Sequence, residues 1–327
     1  MPVKVGILGA GYIGGVHART LRRDDRVSLV GIADIRREAA ERLAAEVGTR
    51  PLPDLEAVLH EGAQAVYVTT PNAHHVEPVV AALGAGVHVF SEKPMATTLE
   101  GAHRVAAAAA RSAAIYQLGF NRRWAPAYAC VHDLIARGDL QPAMAHVKMN
   151  RGELQNPPWV STTALTGGFL YESTIHLLDM VRHLLGEVAA VTCHARTTAY
   201  QEPDGFAAIL RCASGALVTF HSCAHATWVF PFERIEVFGP HQAVVTEEME
   251  RVTVSPGLGR EITTRNYFQL PMDEKWGYRA EDAKFVDAVL EGRRPGVTAE
   301  DGLRATELVE ACYRSARAGA EVRLPLA

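Results

Sequence analysis

Val3-Lys4-Val5-Gly6-Ile7-Leu8-Gly9-Ala10-Gly11-Tyr12-Ile13-Gly14 carries an apolar run straight into three glycines spaced as G-x-G-x-x-G. Gly9 permits a tight strand-to-helix turn, Gly11 lets main-chain N–H groups approach a pyrophosphate, and Gly14 lets the following helix pack closely on its strand. The start of that helix then presents its partial positive charge to the phosphates. Val16, Thr20 and Leu21 continue the chain as an amphipathic helix, and a second apolar run, 27–33, ends at Asp34. That acid lies about twenty residues beyond the last glycine, the spacing at which a carboxylate accepts hydrogen bonds from the adenosine ribose. A lone G-x-G-x-x-G says little. Here strand, turn, helix, second strand and acid stand in register, which predicts a dinucleotide site, with Tyr12 and Ile13 inside the turn as further contacts.

The choice of dinucleotide turns on Asp34 against Arg36 and Arg37. The carboxylate binds the 2′- and 3′-hydroxyls and repels a 2′-phosphate, whereas either arginine can swing to pair with that phosphate. The arginines also read as solvated residues opening a helix over 38–47. NAD is the expected cofactor, with NADP as the alternative, and Asp34 and Arg36 are the residues that decide between them.

Outward from this motif the first third alternates strand-like and helical segments: strand 65–69, helix 73–83, strand 87–90, helix 99–110, strand 115–119. That rhythm predicts a parallel, doubly wound α/β sheet. After residue 121 the pattern changes to a helix over 126–136, a strand over 145–150, a Pro/Trp loop and a helix over 169–185. From 188 to 268 successive strands follow, turning at Ser214-Gly215 and Gly239-Pro240, before helices return over 279–290 and 299–318. Thr298 with Asp301 resembles a capping box at the last of these. The expected organisation is a dinucleotide-binding Rossmann domain, 1–121, and a substrate-binding and oligomerisation domain, 122–327, with a large, mostly antiparallel open sheet. Apolar residues on strands such as 206–210 and 217–220 need a cover of helices or of another subunit, so a homodimer or homotetramer is expected.

Bulk properties narrow the function classes. The 327 residues suit about two domains, and 48% hydrophobic residues support well-buried cores. A net charge of −4 gives no electrostatic reason to expect nucleic acid or an anionic membrane as partner. The five cysteines are odd in number and form no C-x-x-C, which fits a reducing cytoplasm rather than a disulfide framework. A strand begins within three residues of the N-terminus, so no leader segment is expected ahead of it. No apolar run approaches the ~18 residues of a membrane helix.

Chemistry gathers at the ends of strands. Lys93, in Ser91-Glu92-Lys93-Pro94, sits at the carboxyl edge of the parallel sheet, where open α/β folds bind ligands. By position alone it reads equally as a group at the reacting centre or as a surface lysine. Thr69-Thr70-Pro71-Asn72 ends the preceding strand at the same edge, either as hydroxyl and amide donors to the cofactor or as a simple Pro-Asn turn. In the second domain Glu172 and His176 are four residues apart, on one face of a helix, so the carboxylate can orient the imidazole and raise its basicity. A structural helical histidine fits the same pattern. His221, Cys223 and His225 alternate along a strand, but a rise of about 3.3 Å per residue spreads the outer pair too far for one ion. Glu172, His176, Asp179 and His183 form a polar stripe lacking the Glu-x-x-His spacing of di-metal bundles. No metal is expected, and Asp179 reads as a structural hydrogen-bonding residue.

The stretches GAGYIGGVHA (9–18), TTPNAHH (69–75), SEKPMATT (91–98), GFNRRW (119–124), GGFLYESTIHLLDMVRHLLG (167–186) and YRAEDAKFVDAVLEGRRPGVTAEDGL (278–303) together resemble the glucose–fructose oxidoreductase, inositol dehydrogenase and MocA family. The resemblance covers essentially the whole chain. It implies that Lys93 and His176 meet at the nicotinamide, with His176 as the catalytic histidine and Glu172 standing where the family usually has aspartate. The longer side chain leaves open whether Glu172 relays a proton, contacts substrate or positions His176. The resemblance further implies that Asn72, Glu92, Arg122 and Arg123 lie near the cofactor, with Thr70, Pro71 and His75 in the same loop, and that Trp159 closes over the substrate. It implies an NAD(P)-dependent dehydrogenase or reductase acting on a secondary alcohol or ketone of a sugar, cyclitol or related polyol. The alternatives are redox-neutral, glycosidase-type chemistry through a transient keto-sugar, and a non-catalytic nucleotide-binding sensor.

Overall fold

Strands β1 (Val3–Leu8), β2 (Val27–Ala33), β3 (Pro51–Leu52), β4 (Ala65–Val68), β5 (His88–Glu92) and β6 (Tyr116–Gly119) pair in parallel in the order β3-β2-β1-β4-β5-β6. Helices α1 (Tyr12–Arg22), α2 (Arg37–Val47), α3 (Leu55–His60), α4 (Val76–Gly84) and α5 (Leu99–Arg111) connect them. Val5, Ile7, Tyr67 and Phe90 are completely buried, as strands covered on both faces require. The strand order reverses between β1 and β4, so the crevice beyond their carboxyl ends is where this architecture takes a ligand. The computed structural model describes residues 1–152, 154, 158–227 and 231–326.

Downstream come α6 (Pro126–Ala136), β7 (Met144–Asn150), α7 (Thr163–Thr166), α8 (Ile175–Leu185), β8 (Val188–Arg196), β9 (Gly205–Cys212) and β10 (Leu217–Cys223). They are followed by β11 (Glu233–Gly239), β12 (Gln242–Glu247), β13 (Arg251–Ser255), β14 (Thr263–Asn266), α9 (Met272–Lys275), α10 (Tyr278–Glu291), α11 (Ala299–Ala318) and β15 (Val322–Arg323). Among the described residues the nine later strands form one sheet, β14-β13-β12-β11-β7-β10-β9-β8-β15, in which only β7 and β10 run parallel. Parallel and mostly antiparallel sheets are both present, as the sequence pattern predicts. Part of the expected Pro/Trp loop lies outside the described residues.

Two expectations change in the structure. The expected division at residue 121 assigns everything beyond it to the second domain, but the chain forms one unit from Met1–Phe120 with Tyr278–Leu303 and another from Asn121–Gly277 with Arg304–Ala327. The cause is apolar: Phe285 and Val286 on α10 belong to the same buried cluster as Val5, Ile7, Tyr67 and Phe90. The helix expected over 169–185 is not α-helical throughout, because Leu170–Thr174 is a π turn and only Ile175–Leu185 is α-helix. On β9 and β10, Phe206, Leu210, Val218 and Phe220 are buried, the cover that the sequence pattern calls for, while the open face carries Met144, Ile209, Leu217 and Phe238.

Thr298 and Asp301 close a reciprocal cap on α11, the Thr298 N–H donating to Asp301 Oδ2 at 2.8 Å and the Asp301 N–H to Thr298 Oγ1 at 3.3 Å. All five cysteines are free thiols and buried. Among the described residues no helix is long and apolar enough to cross a membrane.

Candidate active site

In the first unit the glycine turn has the shape the spacing predicts. Gly9 has a φ of +108°, a conformation open to glycine and strained for any side chain. A Cβ on Gly14 would stand 2.1 Å from the Gly9 carbonyl oxygen, so close packing excludes any larger residue there. A Cβ on Gly11 would meet no heavy atom within 4 Å, and Gly11 caps α1 without a side-chain cap hydrogen bond. The turn therefore leaves an open cradle in front of unsatisfied main-chain donors, which suits a pyrophosphate. Tyr12 is 73% exposed beside it and Ile13 half-buried.

Asp34 closes the other side of the turn. Its Oδ2 accepts the Ala10 N–H at 2.7 Å and its Oδ1 the Arg36 N–H at 2.8 Å, which fixes the carboxylate at the end of β2. The Arg36 guanidinium lies 3.6 Å from Asp34 with its side chain 68% exposed, and Arg37 is drawn along α2 to Glu41 at 2.7 Å. The carboxylate is thus anchored by main chain while neither arginine is.

Two loops at the same sheet edge are tied together. Thr69 Oγ1 donates to the Gly9 carbonyl at 2.8 Å, joining the end of β4 to the glycine turn. Thr70 donates to the His74 carbonyl at 3.0 Å, Pro71 precedes a short 3-10 turn, and Asn72 is buried within it. The buried His75 ring spans the carbonyl oxygens of Thr70, 2.8 Å away, and Pro94, 2.7 Å away. Burial, outweighing those two contacts, holds its pKa below the usual histidine range. His75 thus clamps the loop after β4 to the loop that carries Lys93, a role its place in the sequence does not reveal. Glu92 ends β5, and its Oε2 accepts the Lys93 N–H at 3.0 Å.

The second unit holds the other expected groups. Glu172, in the π turn, and His176, in the first turn of α8, are both buried. A π turn inside a helix rotates residues off the regular 3.6-residue face, an irregularity that recurs at functional sites. Arg151, just beyond β7, donates to Glu172 Oε1 at 3.4 Å and to Ser173 Oγ at 3.0 Å. No local pattern marks Arg151, because its partners lie on a different element. Trp159 is half-buried in a 3-10 turn, Pro158–Ser161.

Arg122 and Arg123 are buried, each on its own carboxylate. Arg122 donates to Glu233 at 2.9 Å and lies over the Trp276 ring. Arg123 grips Asp179 with two hydrogen bonds of 2.8 and 2.6 Å, and Arg182 adds a third at 3.3 Å. Asp179 is therefore a structural anchor of α8. His183 of the same polar stripe stacks on His132. Strand β10 ends at Cys223, and His225 beyond it pairs with Asp204 at 3.3 Å.

Comparison with known proteins matches this architecture along the whole chain. Residues 3–120 match the NAD-binding Rossmann fold, and residues 132–324 the C-terminal alpha/beta domain, of the Gfo/Idh/MocA oxidoreductase family. The inositol 2-dehydrogenase of Rhizobium meliloti strain 1021 is 30% identical over 96% of this chain and 97% of its own. The myo-inositol 2-dehydrogenase of Thermotoga maritima is 28% identical over 98% of each chain. The crystal structure of GenD2 from gentamicin A biosynthesis, in complex with NAD, superposes with a TM-score of 0.87 at 27% identity, covering 99% of this chain and 97% of that one. Matched over both domains and with an open glycine turn closed by Asp34, the protein belongs to the glucose–fructose oxidoreductase, inositol dehydrogenase and MocA family and is an NAD-dependent oxidoreductase.

Proposed function

We propose that this enzyme oxidises a secondary hydroxyl of a cyclitol, sugar or related polyol, and catalyses the reverse ketone reduction. The observation that carries this reading is the Lys93 loop at the sheet edge bearing the Gly11 cradle, in a chain alignable end to end with inositol 2-dehydrogenases. NAD, held by Gly9, Gly11, Tyr12, Ile13, Gly14, Asp34, Thr70, Pro71 and Asn72, supplies the hydride acceptor. The chain's own groups do the proton and charge work. His176 accepts the hydroxyl proton, Lys93 stabilises the developing alkoxide by charge and hydrogen bond, and Glu172 orients His176. Trp159 covers the substrate and keeps water away. Relatives named as dehydrogenases favour net oxidoreduction over the redox-neutral alternative. Absorbance of reduced nicotinamide during turnover with myo-inositol and a panel of polyols tests the proposal. No accumulation with any of them overturns it.

The anchored Asp34 carboxylate sets the cofactor. Asp34→Ala is expected to erode the preference for NAD over NADP by at least tenfold, read as kcat/KM for both cofactors, because it removes a hydrogen-bonded charge worth roughly 1.5–3 kcal/mol. A native preference for NADP would assign the decision to Arg36 instead.

The open face of the nine-stranded sheet, with Met144, Leu217 and Phe238 adjacent in register and Ile209 beside them, is proposed as the contact between copies in a homodimer or homotetramer. Light scattering at micromolar concentration is expected to return an oligomer, and Leu217→Asp with Phe238→Asp to return a monomer. Five buried reduced thiols support work in the cytoplasm.

A further inference from the structure

The first unit encloses a charged cluster that the mechanism above does not use. His17, on the inward face of α1, is fully buried between two carboxylates from distant parts of the chain. Its Nδ1 lies 2.7 Å from Asp282 Oδ1 on α10, and its Nε2 lies 3.1 Å from Glu92 Oε1 at the end of β5. The rings of Tyr67, Phe90 and Tyr278 wall the imidazole, their centroids 4.9 to 5.8 Å away. Glu281 faces the same space, with a donor atom within 4.8 Å of those of His17 and Glu92. The remaining oxygen of Glu92, Oε2, accepts the Lys93 N–H at 3.0 Å. Asp282, His17, Glu92 and the Lys93 main chain thus form one hydrogen-bonded line.

A neutral imidazole carries one N–H, so two ionised carboxylates facing its two nitrogens call for the doubly protonated ring, while burial raises the pKa of Asp282 itself above the usual carboxylate range. Burial opposes that charge, but the charge and hydrogen bond of Asp282, reinforced by those of Glu92, raise the His17 pKa to about 10. Burial likewise opposes the charge on Glu92, yet the His17 hydrogen bond and charge, with the charge of Lys93, hold its carboxyl below the usual range. At neutral pH Glu92 is an anion whose two oxygens have different tasks. One is held by His17, and the other holds the backbone of the residue proposed to act on the alkoxide. His17, Glu92 and Glu281 have metal-ligand chemistry, but each His17 nitrogen already faces a carboxylate at hydrogen-bond distance.

We infer that His17 is a positioning residue for hydride transfer, acting through Glu92 to hold the Lys93 backbone and so aim its ammonium group. The inference rests on the proposed role of Lys93. It makes α1, whose N-terminus forms the phosphate cradle, also the strut behind the group at the other end of the site.

The test uses the full-length enzyme with His17→Asn and, as a shape-preserving removal of charge that stands in should His17→Asn fail to fold, Glu92→Gln. Competitive acetylation of the NAD-free protein across pH, read by peptide mass spectrometry, measures the reactivity of Lys93 without turnover. Either variant is expected to shift the Lys93 labelling profile and, with NAD and myo-inositol, to lower kcat by roughly 10–100-fold, the size typical of outer-shell partners, while the Kd for NAD changes less than threefold. His17→Asn combined with Lys93→Ala is expected to lower kcat no further than Lys93→Ala alone. A folded variant with unchanged Lys93 labelling overturns the inference, as does a loss of kcat that multiplies with that of Lys93→Ala. If Lys93→Ala leaves kcat intact, the proposed role of Lys93 fails, and the labelling profile still decides whether His17 holds it.

Discussion

His176→Ala is expected to lower kcat for polyol oxidation by about 10²–10⁴-fold, the range for loss of a positioned general base, with NAD affinity nearly unchanged. The pH profile carries the sign. A neutral imidazole accepts the hydroxyl proton and an imidazolium does not, so oxidation by the parent enzyme is expected to rise with pH on its acid limb. The variant loses that limb. Glu172→Gln, which removes the group proposed to orient His176, is expected to weaken that base while substrate binding persists. Steady-state kcat from acid to alkaline pH measures both effects, and an unchanged profile in the two variants assigns the proton to another group.

Lys93→Ala follows with an expected loss of about 10²–10³-fold in hydride transfer, the effect of removing one electrostatic donor from a developing oxyanion. In the proposed mechanism the loss falls on the chemical step, because the ammonium is assigned to the alkoxide and the pyrophosphate to the open cradle at Gly11. Single-turnover formation of reduced nicotinamide should therefore slow while the Kd for NAD stays within a few-fold. The opposite pattern, weak NAD binding with intact chemistry, would make Lys93 a cofactor anchor.

The glycine turn and Asp34 were legible in the sequence because their geometry is local. Three glycines and an acid at set spacings leave one compact solution, and the clash at Gly14 and the open space at Gly11 are its physical content. Strand and helix segments followed from apolar periodicity for the same reason. What the sequence could not display is partnership across long separations: His17 meets Glu92 75 residues on and Asp282 265 residues on. Arg151 meets Glu172 by the same kind of remote encounter. The π turn at Leu170–Thr174 is invisible to a 3.6-residue reading, since the backbone absorbs it without a marker residue. On β9 and β10 a period of two gives each residue one of two opposite directions, and only the register with neighbouring strands chooses which apolar residues face the core.

The return of Tyr278–Leu303 to the first unit sets an order of events during synthesis. Domains ordinarily close one after another as the chain emerges from the ribosome. Here the N-terminal 120 residues emerge without Phe285 and Val286, each worth about 1.5–3 kcal/mol when buried, out of the 5–15 kcal/mol that holds a typical domain together. They also emerge without Asp282, leaving His17 and Glu92 short of the carboxylate that completes their line. The NAD-binding domain is thus begun first and closed late, so the nascent chain carries an unfinished Rossmann core until α10 has been made.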